Sequence, residues 1–234
     1  MIGLTPTLYL SIESKAREFD AKLLVASEVA QRGVDVVIGR QWLLSQNLQF
    51  MQPGLVFFKG VNRIQALNMA KAQLFGHGVV ANDEEAVDIA DQRHMLRDVS
   101  TAVSTYCTQI FCHGHPQQQW MADSFPALRG RLSVVGSPRI DLLRPEFRAL
   151  YDVDAAGVRA KYGRFVLINT NLCAVSSAWG NLEQYAEILV KIGWIDPNNP
   201  DDEEVLQEHI EHDTLNMKEI RRLIEILSRS LPDH

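Results

Sequence analysis

Through the first 165 residues, short β-branched runs alternate with segments of helical periodicity, and that alternation restricts how the chain can close a core. Residues 8–11, 34–39, 55–58 and 79–81 read as strands, each bounded by glycine, proline or polar residues. Between the first two, AREFDAKLLVASEVAQRG sets Phe19, Leu23, Ala26 and Ala30 on one helical face and ends at Gly33. Residues 62–75 place Ile64, Leu67, Ala70 and Leu74 on one side, with Gly76 as terminator. A helix over 95–106, a strand over 108–113, a helix from Pro116 and a strand over 132–135 extend the pattern. Apolar strands separated by helices need cover on both faces, so the spacing predicts an α/β fold with a doubly wound parallel sheet.

Beyond that sheet the pattern thins. Residues 141–162 read as a helical connector, FVLINTN (165–171) as another buried strand, and 182–192 as a helix. DPNNPDDEEV is a polar loop ending in an acidic helix start, and Thr214 is placed to cap a last helix striped by Ile220, Leu223, Ile224 and Leu227. One strand with its helices cannot close an α/β domain. The tail therefore either packs on the first domain or begins a second. The expected division is a first domain over 1–150, a connector over 151–163 and an incomplete second α/β domain over 164–234.

Composition excludes some functions. With 46% hydrophobic and 22% charged residues and a net charge of −6, the chain has ordinary globular character and no general field for nucleic acid. MIGLTPTLYLSIESK lacks the basic start and long apolar core of a signal peptide, and no run reaches the ~18 apolar residues of a membrane span. Cys107, Cys112 and Cys173 have no framework spacing, which fits a reducing cytoplasm. Peripheral membrane association stays open, and the oligomeric state is not set by the sequence.

Ligands of open α/β sheets bind beyond the carboxyl ends of the strands, and four loops there carry polar groups that a sheet does not need. SIESKAREFD crowds Glu13, Lys15, Arg17, Glu18 and Asp20 into a strand–helix junction. Lys15 and Arg17 sit where the helix dipole repels cations, so an anion or carboxylate partner is expected, against the plainer reading of a Ser14 cap and a solvated first turn. GxGxxG is absent there, so no dinucleotide cofactor is expected. VVANDEEAVD follows the fourth strand with Asp83, Glu84 and Glu85, candidates for a general base or nucleophile or simply an acidic helix start. FCHGHPQQQ brings Cys112, His113 and His115, whose spacing is wrong for zinc; His113 reads as a hydrogen-bonding cleft residue. VVGSPRID leaves the last strand through Gly136 and Pro138, presents Arg139 to a carboxylate or phosphate, and offers Asp141 as cap for a helix from Leu142. An internal Arg139–Asp141 clamp is the alternative.

LYLSIESKAREFDAKLLVASEVAQRGVDVVIGR, VVANDEEAV, VVGSPRIDLLRPEFRALY and YGRFVLINTN together resemble bacterial surface carbohydrate biosynthesis proteins, relatives of the two-domain GT-B glycosyltransferases. GSPRID is also similar to the Gly-Asn-Pro-Arg-x-Asp stretch of CDP-glycerol glycerophosphotransferases. The match runs from about Tyr9 to Asn171, with Ser137 where asparagine is common and Ala86 where glycine often follows the acidic pair. The resemblance implies a Rossmann-like acceptor-side domain, then a second domain binding the nucleotide-activated donor. It also implies a donor-site segment beyond LIEILSRSLPDH.

On that resemblance the expected activity is transfer of a sugar, from a CMP-linked Kdo or nonulosonic acid donor, onto a capsule, lipopolysaccharide or related glycan at the inner face of the plasma membrane. Asp83, Glu84 and Glu85 are the catalytic candidates. Glu13, Lys15, Arg17, Asp20, His113, Arg139, Asn169 and Asn171 are the substrate-binding ones, and no metal or cofactor is expected. The expected partners are a nucleotide-sugar donor and a glycan acceptor. The rivals are a nucleotide-sugar 2-epimerase on the same fold and a non-catalytic module of a polysaccharide assembly complex.

Overall fold

The computed structural model describes residues 5–84, 92, 96, 99–178, 180–193 and 195–231. The chain divides into two compact units, Met1–Tyr151 and Asp152–His234.

The first unit is a six-stranded parallel sheet. Its strands are β1 (Thr7–Ile12), β2 (Asp35–Arg40), β3 (Leu55–Phe58), β4 (Gly78–Asn82), β5 (Gln109–Cys112) and β6 (Leu132–Val134), in the order β2-β1-β3-β4-β5-β6. Register runs from Thr7↔Asp35 to Ile12↔Arg40 on one side of β1 and from Leu8↔Leu55 to Leu10↔Phe57 on the other. The connecting helices are α1 (Lys15–Ala30), α2 (Gln41–Asn47), α3 (Arg63–Leu74), α4 (Val103–Tyr106), α5 (His115–Ser124) and α6 (Pro138–Asp141). This is the doubly wound, Rossmann-like arrangement. The inner strands are apolar on both faces because helices cover both. Tyr9, Val56, Phe58, Val79, Ala81 and Ile110 meet Leu44, Leu48, Met69, Met121 and Leu128 in one core. Gly54 admits β3 beside β1, since a Cβ there would lie 2.4 Å from the Thr7 carbonyl oxygen.

The helix faces differ from expectation. In α3 the buried positions are Gln65, Ala66, Met69 and Ala72, while Ile64, Leu67 and Leu74 are exposed. In α1 the buried positions are Glu18, Ala21 and Lys22, while Leu23 is exposed. Alanines let a helix approach a sheet closely, and Ile64, Leu67, Leu74 and Leu23 are turned outward. Asp141 does not cap a helix from Leu142. It ends α6, whose N-cap is Ser137, and pairs with Arg144 at 2.7 Å. Of the helix expected over 95–106, α4 forms at its end; residues 99–102 are coil and turn, and residues 95, 97 and 98 lie outside the described residues.

The second unit contains α7 (Asp152–Tyr162), α8 (Leu182–Lys191) and α9 (Pro200–Ser230). Asn181 and Gln184 form a reciprocal capping box on α8, and Asn199 caps α9. Tyr185, Leu189 and Ala174 pack with Ile195, Leu206 and Ile210, and the buried Asp213 accepts the Ala174 N–H at 2.9 Å. The strand expected over 165–171 does not form. Phe165, Val166 and Leu167 are exposed, and among the described residues this unit has no strand to complete a ladder with them. Thr214 does not start a helix either. It lies inside α9, which begins at the acidic Pro200 turn, and its hydroxyl donates to the Ile210 carbonyl at 2.7 Å.

Candidate functional site

The strand order reverses between β1 and β3, where an open α/β sheet parts its loops into a crevice. Glu13 leaves β1 there and Lys59 leaves β3, and the two are ion-paired. Lys59 also lies 3.6 Å from Glu18, which is 1% exposed on the inward face of α1. Glu18 accepts the backbone N–H groups of Glu13 at 2.8 Å and Ser14 at 3.4 Å, and the Arg17 guanidinium at 3.1 Å. Ser14 holds the N-cap position but makes no side-chain capping bond, so the folded-back Glu18 carboxylate satisfies the helix entry instead. Burial pushes the Glu18 carboxyl up, but the Glu13 amide, the Lys59 charge, Arg17 and the Ser14 amide outweigh it and hold it below its ordinary value.

One turn further along α1, Lys22 is ion-paired with Glu84 of the acidic loop, both of them buried. Lys22 Nζ stands 4.7 Å from the centre of the Phe57 ring, so its charge is held by a carboxylate and an aromatic face together. The acidic loop is pinned along its backbone. Glu84 N–H donates to the Lys59 carbonyl at 2.9 Å, and Arg139 Nη1 donates to the Glu84 carbonyl at 3.0 Å. His113 Nε2 bonds the Asp83 carbonyl. A carbonyl only accepts, so Nε2 carries the proton, and in the neutral ring Nδ1 is left as an acceptor. Asp83 Oδ1 passes beside Gly60, 3.7 Å from where a Cβ would stand. Burial, with the Asp83 charge added, pushes the Cys112 thiol up to about 11, so it is protonated and unreactive at neutral pH.

Among the described residues, five buried polar atoms at the ends of β4, β5 and β6 have no hydrogen-bond partner: Asn82 Oδ1, Glu84 Oε2, His113 Nδ1, Gln117 Nε2 and Ser137 Oγ. Their neighbouring atoms are engaged. Asn82 Nδ2 donates to the Phe111 carbonyl at 2.7 Å, and Gln117 Oε1 accepts the His113 N–H at 2.7 Å. Gly136, at φ +85, turns the chain so that its N–H meets the Cys112 carbonyl, which brings Ser137 to the same edge. A buried unpartnered polar atom costs about 1–3 kcal/mol, so a set of them along the carboxyl edge of β4, β5 and β6 makes that edge the candidate place for a polar ligand.

Glu13, Arg17, Asp83, Glu84, His113 and Arg139 are thus brought to the carboxyl edge of the sheet. Strands β1 and β4 are not neighbours, and Lys59 and Lys22 bridge the β1 loop to the acidic one. Lys15 instead stands over the Phe19 ring at 5.5 Å, and Asp20 accepts the Tyr151 hydroxyl at 3.3 Å. Arg139 binds the acidic loop rather than clamping Asp141. Asn169 and Asn171 are exposed in the second unit, where Cys173 Sγ donates to Asn171 Oδ1 at 3.2 Å. Glu85 lies outside the described residues.

Sequence reasoning missed Lys22, Lys59, Asn82, Gln117 and Ser137 and gave Glu18 no role. A signal existed for two of them: Lys59 follows the apolar run LVFF directly, and Lys22 stands four residues after Glu18, where helical spacing puts both on one face. Two surface grooves lie elsewhere, one beside Met217, Arg221 and Glu225 on α9 and one between α1 and β2 at Leu23, Ala26 and Val36. Among the described residues, no group of three or more His, Cys, Asp or Glu side chains could hold a metal ion. Compared with protein-family models, curated proteins and solved structures, the chain matches none of them.

Proposed function

We propose that this chain is the acceptor-side part of a GT-B-like glycosyltransferase of bacterial surface polysaccharide biosynthesis, with a CMP-linked Kdo or nonulosonic acid as its donor class. The observation that carries the reading is the set of unpartnered polar atoms on Asn82, Glu84, His113, Gln117 and Ser137. Acceptors and donors are mixed there, which suits hydroxyls, since each hydroxyl both donates and accepts. The resemblance of the SIESK, NDEEA and GSPRID stretches to surface carbohydrate enzymes supports the same class.

In such a transfer an acceptor hydroxyl attacks the anomeric carbon, the bond to the nucleotide phosphate breaks, and a base takes the hydroxyl proton. Asp83 is our choice for that base. Its carbonyl and that of Glu84 accept from His113 and Arg139, which supports a fixed backbone beneath its carboxylate. Glu84, neutralised by Lys22, is a positioning residue.

The test is to mix the protein with CMP-Kdo and with Kdo-terminated or lipid A-type acceptors and weigh the products by mass spectrometry. An acceptor heavier by one sugar residue supports the proposal. A new nucleotide-sugar isomer formed without acceptor would establish the epimerase instead.

A further inference from the structure

From Val36 to Asn82 the chain contains no aspartate or glutamate, although it has 29 of them in 234 residues and a net charge of −6. That span includes α2, α3 and the short 3₁₀ turn Leu48–Phe50, which pack on one another over one face of the sheet. Leu44, Leu48, Ala66, Met69 and Ala72 point into the core. The outer side shows large apolar groups: Phe50 is 79% exposed, Leu74 77%, Ile64 64% and Trp42 55%. Along α3, Ile64, Leu67, Lys71 and Leu74 form a single outer ridge. Arg40 at the start of α2, Arg63 at the start of α3, and Lys71 are exposed among them. By contrast, the outer side of α1 carries the acids Asp20 and Glu28.

Exposed apolar residues on a monomer mark an interaction surface when they gather on one face. The charge pattern selects the occupant. A protein partner or a second copy of this acidic chain would meet the patch with mixed charges. A patch with three cations, no carboxylate among the described residues, a tryptophan and a phenylalanine complements a negatively charged, apolar-centred surface. We propose that the α2–α3 face docks on an anionic lipid bilayer. Trp42, Phe50, Ile64, Leu67 and Leu74 enter the headgroup boundary while Arg40, Arg63 and Lys71 meet lipid phosphates.

Co-flotation of the whole chain with vesicles tests it. Binding is expected to phosphatidylcholine containing about one third phosphatidylglycerol and not to phosphatidylcholine alone. Arg63→Gln and Lys71→Gln should each weaken partition about 5-fold, and Phe50→Ser about 10-fold or more. All three sites are exposed, so circular dichroism should stay unchanged. No flotation, equal flotation with neutral vesicles, or flotation indifferent to all three substitutions would overturn the proposal. So would sedimentation velocity showing a dimer that the same substitutions dissociate, since the face would then belong to a second copy.

Discussion

Lys59, at the carboxyl end of β3, is ion-paired with Glu13, at the carboxyl end of β1, across the point where the strand order reverses. Lys59 also lies 3.6 Å from the buried Glu18. Lys59→Met should therefore leave Glu18 short of positive charge and lower stability by about 3 kcal/mol. Urea unfolding monitored by far-ultraviolet circular dichroism measures this. A loss under about 1 kcal/mol would mean that the pair is a surface contact without structural weight.

Lys22 and Glu84 are expected to be coupled. Lys22→Met and Glu84→Gln should each cost about 3 kcal/mol, because each leaves a buried group without its partner. The double variant should cost less than the sum by about 2 kcal/mol. Simple additivity in the same unfolding experiment would show that the two side chains do not interact in solution.

Acid should expose the role of Glu18. Its carboxyl is held below the ordinary value of 4.5, so its contribution to stability is fully present above that pH. It is lost as pH falls through the lowered folded-state value, because the unfolded chain takes up the proton first. Thermal melts across this window should show Glu18→Gln less stable than the parent at neutral pH, with the difference shrinking in acid. A constant difference would remove Glu18 from the linkage.

Strand positions were legible in the sequence because the β-branched runs are bounded by glycine, proline or polar residues, and β1 to β6 fall where those runs lie. Helix faces were not. Ile64, Leu67 and Leu74 outrank Ala66 and Ala72 in hydrophobicity, yet the alanines sit against the sheet, where close approach counts for more than size. The acidic loop was visible from its place after β4, and Gly136 adopts the turn its sequence context demands. Lys22 and Lys59 were missed because a lysine is read as solvated unless its carboxylate partner is known, and Glu84 lies 62 positions from Lys22. Residues 165–171 show the converse, an apolar run that forms no strand where nothing among the described residues pairs with it.

Asp83 and Glu84 should separate by readout. In a glycosyl-transfer assay, Asp83→Asn should cut turnover by about 10²-fold or more, the usual scale for a lost acid–base group. Its stability should change little, because its side chain is only partly buried. Glu84→Gln should instead act through stability. If Asp83→Asn transferred sugar at the parent rate, the assignment of the base would be wrong.

Whether the polar edge of β4, β5 and β6 holds a glycan can be read by amide-shift mapping. The ¹⁵N-labelled chain is titrated with a Kdo-containing oligosaccharide. Saturable shifts are expected at the amides of Asn82, Asp83, Glu84, His113, Gln117, Ser137 and Arg139, and their loss in a Ser137→Ala, Gln117→Ala variant that remains folded. Shifts confined to other parts of the sheet, or no shifts at saturating oligosaccharide, would contradict it.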